Sequence, residues 1–325
     1  MSDQIKVAFV GAGGMAQSHM GNLAAIEDVS IVGICDVSQE RATEVAEKYS
    51  AAAYTEYRRM LDEVEIDALY VVVPPFAHED AEVLAVRNGS HLFVEKPVVM
   101  NMDKGYEIAE AIDKAGVLSC VGYQLRLLDS VQRARRYLAN RTLGMVTSHR
   151  WGGLPGAPWW RVMEQSGGQM HEQTTHQIDL MRYLGGEIVE VYARYSLRAL
   201  GGVENLDIPD CQAAVFTYID GAIGLVATSP MMRQGGGVSD LKFLVDDHIL
   251  EWRVNGNTLM PDDDEEVTAE PQQTGTIDAA FIEAIRSGDS GPIPCSYRAG
   301  LQTSAVTLAA NESARGGRPV AVPRV

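Results

Sequence analysis

The sequence predicts two domains: an α/β domain built on a doubly wound parallel sheet, then an α+β domain with a mostly antiparallel sheet. Three observations predict this. Short apolar runs alternate with helical stretches through about residue 123, the rhythm of right-handed βαβ units. Those runs are apolar without alternation, as strands are when helices cover both faces. The rhythm then changes to strand-like runs separated by short breaks. A chain of 325 residues is also long for a single core. The expected boundaries are 1–123 and 124–325, with the last helix a candidate to pack back on the first domain.

In order, IKVAFV (5–10) is a buried strand that ends at glycines, and a helical stretch follows from about Gly14 to Ile26. VSIVGICD (strand), SQERATEVAEKYS (helix), AAAYT (short strand), EYRRMLDE (helix) and DALYVVV (strand) come next. HEDAEVLAVRNG (helix), SHLFVE (strand), MDKGYEIAEAIDKAG (helix) and VLSCVG (strand) complete the first pattern. LDSVQRARRYLAN reads as a linking helix, and a second helix spans about 169–184. EIVEVYARYSLRA, CQAAVFTYID, AIGLVATS, LKFLVDD and ILEWRV are the strands of the mostly antiparallel sheet. Asp-Gly at 220–221 and Asn-Gly at 255–256 suggest hairpin turns. PDDDEEVTAEP (261–271) reads as a solvated acidic loop or edge, and two helices near 276–287 and 297–314 close the chain.

Composition excludes several function classes. The net charge is −17, against nucleic acid, whose affinity comes largely from Lys and Arg on phosphates. An acidic chain gains nothing from an anionic membrane surface. No apolar run reaches about 18 residues, so no membrane span is expected. Cys35, Cys120, Cys211 and Cys295 lie far apart and form no Cys-x-x-Cys pair, which fits a reducing compartment. MSDQIKVAFVGAGGMAQ lacks a basic n-region before a long apolar run and reads as a strand, not a signal peptide. A cytoplasmic location is the expectation.

GAGGMA at 11–16 fits the Gly-x-Gly-x-x-Ala form of the dinucleotide fingerprint of a Rossmann domain. A strand precedes it, a helix follows, and Asp36 ends the next strand, twenty residues after Ala16. Gly11 allows the tight turn, Gly13 lets the backbone approach a pyrophosphate, and Ala16 permits close helix packing. The helix N-terminus, at Gly14 and Met15, supplies N–H groups and a positive dipole end. Asp36 should accept hydrogen bonds from ribose hydroxyls and repel a 2′-phosphate, and its neighbour Val37 is not basic. NAD is therefore expected over NADP. The alternative is an ordinary strand–turn–helix with a surface aspartate.

Two further strand ends extend the case. VVVPPFAH (71–78) ends the fourth strand, beside the first βα turn, so Pro74 and His78 are candidates to wall the cofactor crevice. A plain strand stop is equally physical. FVEKPVV (93–99) puts Glu95 and Lys96 where a strand opens into the crevice. A lysine there can enter a partly desolvated pocket beside a nicotinamide, and Pro97 can hold a cis peptide.

The stretch MHEQTTHQIDLMRYLGG (170–186) looks at first like a zinc-protease helix. His171 and His176 are five apart, however, which puts them about 140° apart on a regular helix. No metal is expected. Glu172 and His176 are four apart on one face, and a carboxylate one turn from an imidazole can set its tautomer and raise its basicity. That pair suits proton transfer at neutral pH. The alternative is a helix with a wet polar face and a core face of Ile178, Met181 and Leu184.

With GAGGMA, EKP at 95–97, GYQLR at 122–126 and a GG…H..D helix at 167–179, the chain resembles the glucose–fructose oxidoreductase / inositol dehydrogenase (Gfo/Idh/MocA) family over its whole length. The resemblance implies a Rossmann domain, an α+β domain with a large, mostly antiparallel open sheet, and nicotinamide-dependent oxidation or reduction of sugars, polyols and relatives. It also implies dimers or tetramers built through the open sheet face, which would otherwise leave an apolar surface unburied. The family's motif here is Asp-x-Gly-x-His. His176 holds the histidine position and Glu172 the aspartate position, while Thr174 stands where glycine is usual. Glutamate is one methylene longer, which leaves open whether Glu172 contacts substrate hydroxyls, orients His176, or both.

The expected function is an NAD-dependent dehydrogenase acting on a secondary alcohol, or keto group, of a sugar or polyol. Lys96, His176 and Glu172 are the catalytic candidates. Gly11, Gly13, Gly14, Met15, Ala16, Asp36, Pro74, His78, Glu95 and Lys96 are the cofactor-binding candidates. Tyr123, Gln124, Arg126, Trp151, Trp160, Glu172 and His176 are the substrate candidates, since aromatic faces pack on sugar rings and indole N–H groups bind hydroxyls. Trp151, Trp159 and Trp160 read as part of the loop WGGLPGAPWWR, and buried structural tryptophans are the alternative. Asp179 reads as a supporting or structural acid. Alternative functions are a glycoside-cleaving enzyme that uses bound NAD in a redox cycle, and a non-catalytic NAD-binding regulator.

Overall fold

The computed structural model describes residues 4–78, 80–232, 235–253, 258–259, 266–267 and 275–325. The chain divides into two compact units. The first takes Met1–Gln124 and Gly275–Gly300, and the second takes Leu125–Thr274 and Leu301–Val325.

The first unit carries β1 (Ile5–Val10), α1 (Gly14–Ala24), β2 (Val29–Cys35), α2 (Gln39–Tyr49), β3 (Ala52–Tyr54), α3 (Tyr57–Glu63) and β4 (Ala68–Val71). α4 (Ala81–Arg87), β5 (His91–Val94), α5 (Met102–Ala115) and β6 (Ser119–Val121) follow. The strand order is β3-β2-β1-β4-β5-β6 and every pairing is parallel. This is the doubly wound order whose chain direction reverses between β1 and β4, where such sheets open a crevice at their carboxyl ends. β4 and β5 are almost wholly buried because helices pack on both faces. Helix ends follow local chemistry: Ser38 caps α2 by accepting from Arg41 N–H, Asn101 caps α5, and Gly116 ends α5 in the left-handed region. Tyr70 stacks on Phe93 with ring centroids 4.4 Å apart, and Phe281 from the helix Ile277–Ser287 packs edge-on against Tyr70.

The second unit begins with α6 (Asp129–Leu138) and β7 (Leu143–Trp151). Three short helices follow: α7 (Met163–Ser166), α8 (Gly168–Glu172) and α9 (Thr175–Gly185). Then come β8 (Ile188–Ser196), β9 (Cys211–Tyr218), β10 (Ile223–Ser229), β11 (Val238–Val245), β12 (His248–Arg253), β13 (Thr258–Leu259) and β14 (Glu266–Val267). The helix Ile277–Ser287 is α10 in chain order, and α11 (Tyr297–Gly316) and β15 (Val320–Ala321) end the chain. The sheet order is β14-β13-β12-β11-β7-β10-β9-β8-β15. Only β7 and β10 pair in parallel; the other pairs are antiparallel.

One face of this sheet is core. Val146, Phe216, Val226, Phe243 and Trp252 point inward, with Ile178, Met181 and Val306 from helices packed on them. The other face is open, and its strands alternate accordingly: β9 reads buried at Gln212, Ala214, Phe216 and Tyr218 and exposed between. Ile249, Leu244, Met145 and Ile223 are cross-strand neighbours on that face, and all four are exposed.

Two expectations from the sequence need correction. The stretch LGMVTSHRW, left without an element, is the central strand β7, so Trp151 ends a strand and does not lie in a loop. Its mixed composition hides it, because Arg150 and His149 interrupt the apolar pattern. The helix expected over 169–184 is two helices, α8 and α9. At the break, Thr174 N–H reaches back five residues to Gln169 O, and Thr174 Oγ1 hydrogen-bonds Thr228 Oγ1 on β10. Two consecutive β-branched threonines weaken the helix there, and the sheet supplies a competing partner. The Asp-Gly hairpin is present, with Gly221 at φ +94° between β9 and β10. Asn-Gly 255–256 lies outside the described residues, as does the acidic run apart from residues 266–267. No helix among the described residues is long and apolar enough to cross a membrane.

Candidate functional site

In the first unit the glycine turn is shaped by one close approach. Gly11 has φ +101°, and a Cβ there would come within 2.1 Å of Val72 O. Only glycine fits, both for its backbone angle and for its space. Gly13 is the N-cap of α1, and no atom lies within 4 Å of where its Cβ would stand, nor of Gly14's. Met15 is exposed and Ala16 is fully buried. α1 has no acidic residue in its own first turn to compete with an anion for its positive end. The cradle of open amides and empty Cβ space fits the phosphates of a dinucleotide.

Asp36, just past β2, is buried and accepts from Ala12 N–H and Ser38 N–H, each at 2.9 Å. Arg41 on α2 reaches its Oδ1 at 3.2 Å, while Val37 is fully open to solvent. The chain neighbour of Asp36, Val37, carries no charge. The cation instead comes one helical turn later, at Arg41.

Pro74 precedes a 3-10 turn, Pro75–Ala77, beside the Gly11 approach. His78 Nδ1 bonds Glu82 Oε1 at 2.7 Å, and both side chains are buried. His78 is therefore committed to α4. At the end of β5 the Lys96–Pro97 peptide is cis. Lys96 is half-buried and Glu95 is buried. Glu95 Oε2 accepts from Lys96 N–H at 3.0 Å and Oε1 lies 3.2 Å from His19 Nε2. Gly122 gives Glu95 its room, since a Cβ there would fall 2.1 Å from Oε1. Tyr123 is fully buried and Gln124 half-buried.

The second unit holds the other candidates. Trp160 is 1 % exposed and donates its indole N–H to Glu172 Oε2 at 2.8 Å. Gln173 also donates to Glu172 Oε2, and Arg150, on the helix side of β7, donates to Gln173 Oε1 at 3.2 Å. Burial draws Arg150 below the usual guanidinium range, and the Glu172 carboxylate opposes that. Trp151, 42 % exposed, is on the opposite face of the sheet, edge-on to His149. The structure brings Trp160 to Glu172 and does not bring Trp151 there. Arg150 and Gln173 were missed, because nothing in their local pattern marks them.

His171 and His176 lie on either side of the helix break. His171 is fully buried, with Nδ1 2.7 Å from Thr307 Oγ1 on α11. His176 is half-buried near the start of α9. Because α8 and α9 are separate helices, the pair does not have the angular separation of one regular helix. Among the described residues no group of three or more His, Cys, Asp or Glu side chains is placed to hold a metal ion. Arg126 makes a bidentate pair with Asp179, Nε to Oδ2 at 2.8 Å and Nη2 to Oδ1 at 2.6 Å, and Thr303 Oγ1 adds a bond to Oδ1 at 3.0 Å. The Arg126 guanidinium also lies over the Tyr183 ring, 4.6 Å from its centroid. Asp179 thus anchors α9 to the segment that follows residue 124.

Comparison with known proteins agrees with both halves. Residues 5–123 match the oxidoreductase family, NAD-binding Rossmann fold, of the GFO/IDH/MocA proteins, and residues 131–254 match the GFO/IDH/MocA C-terminal domain. The myo-inositol 2-dehydrogenase of Thermotoga maritima is 25% identical over 232 residues, 69% of this chain and 68% of that protein. The D-glucoside 3-dehydrogenase of Escherichia coli is 28% identical over 209 residues, 62% of this chain and 60% of that protein. The crystal structure of the WlbA dehydrogenase from Bordetella pertussis, in complex with NADH and UDP-GlcNAcA, superposes with a TM-score of 0.87 at 25% identity, covering 99% of this chain and 100% of that one. A parallel sheet with a dinucleotide turn, an open antiparallel sheet, and these matches over both halves lead to one assignment: the chain belongs to the Gfo/Idh/MocA family of oxidoreductases.

Proposed function

We propose that this protein is an NAD-dependent dehydrogenase or reductase acting on a secondary alcohol, or keto group, of a sugar, polyol or related small molecule. The observation that carries the reading is Asp36, buried at the tip of β2 and fixed by two backbone amides beside the Gly11 turn. A carboxylate so held suits ribose hydroxyls, and the open amides at Gly13, Gly14 and Met15 suit a pyrophosphate. The family membership and the dehydrogenase relatives support the reaction class.

Gly11, Gly13, Gly14, Met15 and Asp36 would hold the dinucleotide, which would supply a hydride acceptor for the carbinol carbon. Each unit offers one proton-transfer candidate of suitable chemistry, Lys96 in the first and His176 in the second. Glu172, held by Trp160 and Gln173, orients His176 or binds substrate hydroxyls. Arg126 supports α9 through Asp179 rather than touching substrate. A second cofactor reading, NADP, is favoured by Arg41, whose guanidinium at the mouth of the Asp36 site could pair with a 2′-phosphate. Homo-oligomers form through the open sheet face, where the row Ile249, Leu244, Met145 and Ile223 is exposed.

The test is absorbance at 340 nm with NAD or NADP and a panel of inositols, glucosides and sugar acids. Turnover with at least one polyol or sugar is expected, faster with NAD. Lys96→Ala should abolish it and leave NAD binding nearly intact, and full activity in that variant sinks the mechanism.

A further inference from the structure

One buried cluster in the first unit is not used by the reading above. His19, on the second turn of α1, is 6 % exposed. Its Nδ1 lies 2.8 Å from Asp278 Oδ1 on α10, and its Nε2 lies 3.2 Å from Glu95 Oε1 at the end of β5. Asp278 is fully buried and also accepts from Asn22 Nδ2 at 2.7 Å, again from α1. The other carboxyl oxygen of Glu95 accepts from Lys96 N–H. A continuous chain of hydrogen bonds therefore runs from α1 through His19 and Glu95 to the backbone of Lys96.

A neutral imidazole has one N–H and one acceptor nitrogen, whereas ionised carboxylates only accept. Both ring nitrogens of His19 face carboxylate oxygens, so the arrangement is satisfied when the ring is an imidazolium. One buried cation then serves two buried carboxylates. Without it, Glu95 and Asp278 are like charges in a poorly solvated place, and one of them must move or take a proton.

We infer that His19 is a positioning residue that ties the phosphate-binding helix α1 to the Lys96 turn. The inference rests on the reading of this unit as the NAD-binding domain. On that reading the start of α1 would hold the pyrophosphate, and the Lys96 turn after β5 lies on the same carboxyl side of the sheet, where the rest of a dinucleotide would be held. Their separation is set by one short polar chain, so the charge on one ring governs whether both ends of the cofactor are met at once. The ring titrates upward: burial opposes its charge, but the bonds and charges of Asp278 and Glu95 outweigh that and raise it to about 9. Among the described residues, Tyr70 on β4, itself raised well above its ordinary value by burial and by Asp278, and Cys120 on β6, which acts on Tyr70, also face the cluster, and neither supplies a positive charge; Lys96 follows Glu95 in the chain and meets it through its backbone N–H.

The experiment measures NAD affinity of the full chain by calorimetry, with no substrate, from pH 7 to 10. Wild type should bind tightly at pH 7 and weaken along an inflection near 9 that coincides with titration of the His19 ring, followed by NMR on histidine-labelled protein. His19→Gln keeps an amide donor toward Glu95 but strands Asp278, and should weaken NAD about tenfold at pH 7. Adding Asp278→Asn removes the stranded charge. The double variant should regain affinity to within about threefold of wild type and lose the alkaline inflection. A role in folding alone would lower the melting temperature without this rescue. Should the single variant fail to fold, the wild-type profile and the double variant carry the test. Flat wild-type affinity across this range overturns the inference, and so does an unchanged inflection in the double variant. Wild-type affinity for NAD in a folded His19→Gln overturns this inference alone, whereas wild type that binds neither NAD nor NADP overturns the cofactor reading with it.

Discussion

Trp160 donates its indole N–H to Oε2 of Glu172 across 2.8 Å, and both side chains are buried. The tryptophan is a fixture for a carboxylate, not an open ring face. Trp160→Phe keeps the bulk and removes the donor. It should cost about 1.5 kcal/mol of stability in urea titration, the low end for a hydrogen bond to a charged group because Gln173 remains. Turnover should fall by about tenfold while NAD affinity stays unchanged, and unchanged turnover would show that the carboxylate's position does not matter to the chemistry.

Gly11 and Gly13 separate folding from binding. Gly11→Ala meets Val72 O and a positive φ, so it should destabilise the chain by about 3 kcal/mol and lower the melting temperature. Gly13→Ala meets no atom within 4 Å and has an ordinary φ of −71°. Its melting temperature should match wild type, but the methyl group stands where a pyrophosphate approaches. NAD affinity by calorimetry should drop about tenfold or more for a lost close backbone approach.

Arg126 and Asp179 form a buried bidentate pair. Arg126→Met leaves a carboxylate buried without its cation and should cost about 3–5 kcal/mol. Arg126→Met with Asp179→Leu should cost less than the single change, since no charge is left unpaired. A double-mutant cycle in urea measures the difference. Equal cost for the single and double variants contradicts the pairing.

Stability should depend on pH through His19. Its folded value is raised from 6.5 to about 9, so the ring adds stability that is fully present below pH 6.5, declines above it, and is gone above about pH 9. The span corresponds to about 3 kcal/mol. Urea titrations at pH 6, 8 and 10 should show that decline, and His19→Gln/Asp278→Asn should flatten it.

The apolar row on the open sheet predicts assembly. Leu244→Glu puts a charge among Ile249, Met145 and Ile223. Light scattering should show wild type as a dimer or tetramer and Leu244→Glu as a smaller species with an unchanged melting profile at low concentration. A wild-type monomer at micromolar concentration rules the interface out.

The local periods of the sequence were enough for the parallel sheet, the Gly11 turn and the mostly antiparallel sheet, and they allowed the cis peptide that stands before Pro97. Each is written in neighbouring residues, as apolar runs, glycines at fixed offsets, or a Glu-Lys-Pro at a strand end. β7 was not legible, because a central strand with His149 and Arg150 carries polar groups that only their packing explains. The break between Glu172 and Thr175 was not legible either. A helix that reads as continuous gives way when the sheet offers Thr174 a partner at Thr228.

The sequence by itself determined the family, the fold and the residue types available for chemistry. The tertiary structure decided what those residues touch. Glu172 meets Trp160 across a chain separation of 12, Arg126 meets Asp179 across 53, and His19 meets Asp278 across 259. The physical reason is that a buried polar group takes whichever partner the packing brings within 3 Å, and local periodicity carries no record of that choice.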